Sequence, residues 1–187
     1  GQAAHVGVFG LGYGAGVTIA GLTEGLTLGV YGDIRENVEA QTATEDKTRD
    51  QFTGTWYAKY SAGPVSFGYQ QSYFDSGLTG STIAANSAAT VGTSSGTFEA
   101  ENMSIAFNVN DNLSISWTDT TDTYDAQSNI ASGTETLDVD KETDALQVAY
   151  SMGGMSIKAY RMTASNPNYD GNALGSEKSE ISLGLAF

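Results

Sequence analysis

Large apolar residues recur at every second position along most of this chain. In Ile181-Ser-Leu183-Gly-Leu185-Ala-Phe187 they hold one parity, and Glu180, Ser182, Gly184 and Ala186 hold the other. A strand sends residues i and i+2 to the same side, so this segment reads as a strand with one oily face and one small or polar face. The phrase occurs four more times, each after a turn signal. It follows Thr23-Glu24-Gly25, Gly63-Pro64, Asn110-Asp111-Asn112 and Gly153-Gly154, and begins at Leu26, Val65, Leu113 and Met155. An alternating strand also precedes each turn, as in Trp56, Ala58 and Tyr60 or Leu146, Val148 and Tyr150. The expectation is an all-β chain of nine strands over 5–21, 26–37, 51–62, 65–75, 97–109, 113–124, 142–152, 155–164 and 177–187, forming one domain across 1–187. No capped stripe of helical period competes with it.

The connections alternate as well. Turns near 23, 63, 111 and 153 are short, whereas the links over 38–50, 76–96, 125–141 and 165–176 are long, polar and acidic. Both prolines, Pro64 and Pro167, fall in connections, where a missing N–H breaks no ladder. Strands of this length, with short turns at one end and long loops at the other, predict a transmembrane antiparallel β-barrel. The mild average hydropathy does not argue against it, because alternation cancels in a window. A soluble β-sandwich is the rival, but it would need a second layer over the oily face.

Composition removes other classes. With 22 acidic and 8 basic residues the net charge is −14, which opposes phosphate binding and hence a nucleic-acid partner. There is no Cys and a single His, at position 5, so thiolate chemistry and a multi-histidine metal site are excluded and no catalytic constellation forms. An enzyme is not expected. The run Gly10-Leu-Gly12-Tyr-Gly14-Ala-Gly16 imitates a dinucleotide fingerprint, but a strand follows it rather than the helix the motif needs.

Charged residues inside strands are few. Alternation places Asp33, Arg35, Lys59 and Lys158 on the polar face with Tyr31, Tyr57 and Tyr160. In a barrel that face is the lumen, since a lipid-facing charge near the midplane costs about 2–4 kcal/mol. Strict alternation aims Arg161 outward unless a bulge near Ala159 turns it in. Acidic residues crowd the long links; Asp138, Asp140 and Asp144 are weak Ca²⁺ candidates that lack a regular ligand spacing, and solvated loop charge is the plainer reading. No other cofactor is expected. The net acidity suggests a mild cation preference.

The terminal Phe187, with Ile181, Leu183 and Leu185 at alternate positions before it, resembles the C-terminal assembly signal of bacterial outer-membrane proteins. With the hairpin phrases and acidic loops, the chain looks like the C-terminal part of a Gram-negative general porin of the alphaproteobacterial type. The resemblance implies a sixteen-stranded barrel, of which about seven strands and the inward-folded third loop lie outside these residues. It also implies a homotrimer in contact with membrane lipid and lipopolysaccharide, and folding by the barrel-assembly machinery. The C-terminus would be periplasmic and the long loops extracellular. The implied activity is passive diffusion of small hydrophilic solutes and ions through a water-filled lumen, with Arg35, Lys59 and Lys158 as the basic wall. The alternative is a non-conducting barrel acting as a scaffold or adhesin through its acidic loops.

Overall fold

The structure, a computed structural model, describes residues 9–37, 49–77, 96–125 and 138–186. Nine strands follow in chain order: β1 (Phe9–Ala20), β2 (Leu26–Asn37), β3 (Gln51–Ala62), β4 (Val65–Asp75), β5 (Thr97–Asn110), β6 (Leu113–Asp125), β7 (Val139–Met152), β8 (Met155–Ala164) and β9 (Ser176–Leu185). They form one antiparallel sheet in which every strand pairs with its sequence neighbours. The sheet is open, with β1 and β9 as its edges. The all-β expectation and the order of nine strands hold.

The largest boundary difference from the sequence reading inside the chain is at β7, and most other strand ends agree within two residues. β7 starts at Val139 rather than 142, so Asp140 joins Glu142 and Asp144 in the strand and does not lie in a link. Their ladder partners Thr123, Thr121 and Asp119 on β6 extend the pairing past the point where charge suggested a link. The β8–β9 connection carries a single 3-10 turn, Pro167–Tyr169, that the sequence did not announce.

The register sorts the side chains cleanly. One row of directly paired residues runs Ala62, Val65, Phe107, Ile115, Val148, Ala159 and Ile181, all apolar and all on one face. A second row on that face runs Ile19, Leu28, Ala58, Tyr69 and Met103, then changes to Asp119, Asp144, Thr163 and Glu177. The apolar band therefore crosses the ladder diagonally. It is tall on β1–β4, from Ile19 to Leu11 or from Ala62 to Phe52, and short on β6, from Leu113 to Trp117.

Among the described residues no second layer covers this band. Ile181 is 79% exposed and Leu183 61%, and Trp56, Phe67 and Leu146 are exposed as well. The buried apolar residues of the described chain are Tyr124, Val139 and Tyr169, and they lie at one end of the opposite, polar face.

Candidate functional site

The polar face is built from the other parity of each strand. Its central wall, across β4–β7, is neutral and hydroxyl- or amide-rich: Ser66, Gly68, Gln70, Asn102, Ser104, Ser116, Thr118 and Gln147. Thr120 Oγ1 donates to Asn102 Oδ1 at 2.7 Å, and the Thr55 and Ser72 hydroxyls meet at 3.0 Å. These polar groups bind one another across strands and leave the wall smooth. A groove of about 570 Å³ runs over it, lined by Tyr57, Lys59, Gln70, Asn102, Ser104 and Thr118 among others.

Tyr31 and Tyr57 lie on this face as the alternation predicts, but they do not project from it. Their rings stack 6.3 Å apart at 10°. Tyr31 covers Gly16 and Tyr57 covers Gly29, and a methyl group on either glycine would overlap the ring above it. The Tyr31 hydroxyl meets the Thr18 hydroxyl on β1. The glycines of β1 and β2 thus act as seats for flat aromatic side chains, and the wall keeps its open space.

The structure places Asp33 and Arg35 on the polar face at the long-loop end of β2, and Lys59 beside Tyr57 nearer the short-turn end of β3. Lys158 and Tyr160 share the face but stand five strands away on β8. The predicted residues therefore form two separate groups along one wall. Tyr160 donates to Glu180 Oε2 at 3.0 Å, and Lys178 lies 3.5 Å from the same carboxylate. Lys59 and Lys158 make no ion pair with a described residue.

Charge is divided by face. Among the described strand residues the polar face holds five basic side chains, Arg35, Lys59, Lys141, Lys158 and Lys178, against Asp33, Asp122 and Glu180. The outward face holds one basic side chain, Arg161, bonded to Glu177 at 2.9 Å. The register of β8 carries no bulge, so Arg161 points outward as strict alternation expects. The acids Glu99, Glu101, Asp119, Asp140, Glu142 and Asp144 also stand outward, beyond the apolar band on β5–β7. Five basic against three acidic side chains leave the described polar face with a positive balance, so the excess of negative charge on the described strands lies on the outward face.

The Ca²⁺ candidates do not converge. Asp140 and Asp144 are four residues apart on β7, so the strand spreads them by about 13 Å, and Asp138 lies just before it. Asp140 accepts from Thr123 Oγ1 at 2.7 Å. Among the described residues no group of three acidic or His side chains is arranged to hold a metal ion. Ile181, Leu183 and Leu185 stand on the outward face of β9 as expected, while Phe187 lies outside the described residues.

One part of the polar face was missed from sequence. Phe74, Phe98, Tyr124 and Val139 take polar-face positions at the long-loop end of β4–β7. Tyr169 from the β8–β9 connection packs on them, 5.6 Å from the Phe98 ring and 5.7 Å from Tyr124. Lys141 sits 5.5 Å over the Tyr169 ring and pairs with Asp122 at 3.0 Å. Asn166 Nδ2 donates to the Asp140 carbonyl at 2.7 Å, and the Ser165 amide donates to the Glu142 carbonyl at 2.9 Å. Tyr169 has φ 56°, a left-handed conformation that costs a bulky residue about 1–3 kcal/mol. Burial of the ring, worth about 4 kcal/mol, outweighs that strain. The signal was present as four large apolar residues on the wrong parity. Searches of known protein families, of curated proteins and of solved structures return no match for this chain, so its reading rests on the two faces of the sheet.

Proposed function

We propose that this chain forms part of the wall of an outer-membrane channel, a porin-type β-barrel that passes small hydrophilic solutes and ions. The observation that carries the reading is the diagonal apolar band. Nine strands span eight spacings of about 4.8 Å, so a row of paired residues is about 38 Å long. In a barrel whose strands tilt by about 40°, such a row climbs about 25 Å, the height of an outer-membrane apolar band. The row that starts at Ile19, at the foot of the band on β1, should therefore pass from apolar to polar residues as it climbs, and it does so between Met103 and Asp119, after a rise of about 12–15 Å. Strands of 10 to 14 residues tilted in this way are long enough to cross.

In this proposal the outward face meets lipid and the polar face lines water. The short turns lie in the periplasm with the C-terminus, and the long connections lie outside. Closing the sheet takes further strands at the edges of β1 and β9, which a sixteen-stranded porin would supply. Ile181, Leu183 and Leu185 serve the assembly machinery as part of the terminal signal.

The division of charge gives the channel wall a sign opposite to that of the chain. Lys59 and Lys158 face water with no acid among the described residues paired to them, so the wall favours anions, whereas the net charge alone suggested cations. The protein reconstituted in a planar bilayer under a KCl gradient should show stepwise conductance with a reversal potential on the chloride side. Lys59→Glu with Lys158→Glu should move that potential toward potassium, and Asp119→Asn should not. A folded protein with no conductance steps would refute the channel and favour a scaffold acting through its acidic surface.

A further inference from the structure

The β8–β9 connection, residues 165–175, joins two strands that are adjacent in the sheet. Two to five residues suffice for such a link, and eleven are present. The surplus does not stand away from the sheet. It crosses the polar face: Tyr169 touches Phe98 on β5, three strands from β8, a distance of about 14 Å along the sheet.

We propose that this connection is a constriction of the channel, pinned inside the wall by Tyr169, and that it sets the largest neutral solute that passes. The inference rests on the channel reading above. Three observations support it. The wall beneath the strap is apolar where the central wall beside it is hydroxyl- and amide-lined, so it is shaped to hold a side chain rather than to face water. The strap is fastened through its first half, by the Ser165 amide on Glu142, by Asn166 on the Asp140 carbonyl and by Lys141 over the Tyr169 ring. Left-handed backbone at Asn166, Asn168 and Tyr169 turns the chain so that the ring enters the wall while Asn168 stays exposed. Asparagine tolerates that conformation better than most residues, so the turn is encoded locally.

The test compares the native protein with Tyr169→Ala and Tyr169→Phe in planar bilayers and in liposomes swollen with mono-, di- and trisaccharides. Tyr169→Ala should raise single-channel conductance and speed trisaccharide entry severalfold, and Tyr169→Phe should match the parent. The chain has no cysteine, so Asn168→Cys gives an independent variant: a bulky thiol reagent should lower its conductance in one step. Unchanged conductance and size limit in folded Tyr169→Ala, or a labelled Asn168→Cys channel that conducts as before, would overturn the constriction while leaving the channel in place. A parent protein without conductance would overturn the channel reading itself, and the constriction with it.

Discussion

Gln71 stands on the outward face in the middle of the apolar band of β4, where an unpaired amide would be costly. Its Oε1 accepts from Trp56 Nε1 at 3.0 Å, directly across on β3. Trp56→Phe should strip that donor and destabilise the protein by about 1–3 kcal/mol. Adding Gln71→Leu should recover most of the loss, because no polar group is then left alone. Urea unfolding in detergent micelles would measure both, and equal effects from the single and double changes would rule the pairing out. The outward position of each residue was legible from parity. Their partnership was not, since it depends on the offset between β3 and β4 that the Gly63-Pro64 turn sets.

All nine strands were legible because each obeys the same two-residue period and each short turn carries Gly, Pro or Asn. The start of β7 was not, because Asp140 looks like a loop residue until Thr123 of β6 opposite it is known. The strap escaped for a related reason: the residues that hold Tyr169 come from β5, β6 and β7, and nothing local to 165–175 names them. Its hold on the wall should depend on pH in one direction. Burial, and then the charge of Asp122, push the Tyr169 hydroxyl above its ordinary value of 10.0. Below that value the ring is neutral whether docked or released, so docking is insensitive to pH. As pH rises past it the released ring ionises first, and docking is lost through the raised pKa of the docked ring. Subtracting the ultraviolet phenolate titration of Tyr169→Phe from that of the parent should show a late-titrating tyrosine; a difference curve centred at the ordinary value would contradict the buried contact.

For the whole molecule, the two faces do separate work. One carries apolar area in a band that crosses the ladder at an angle, and the other carries small polar groups with Lys59 and Lys158. Charge reversal on the polar face should change which ions pass, and the same change outside it should not. The general plan was legible because alternation reports a face. The sign of the wall was not legible from the net charge, which sums over faces and loops that never meet the same water. The uneven height of the band has a consequence for the lipid around it. In the proposed barrel the oily surface would match an ordinary outer membrane beside β1–β4 and fall short beside β5–β9, where the leaflet would thin at a cost of fractions of a kcal/mol per Å. A second copy packed against that flank would relieve the mismatch. Association between copies should therefore strengthen as the acyl chains of the host bilayer lengthen, and energy transfer between labelled copies in a series of lipids would reveal a protein that reads the thickness of its own membrane.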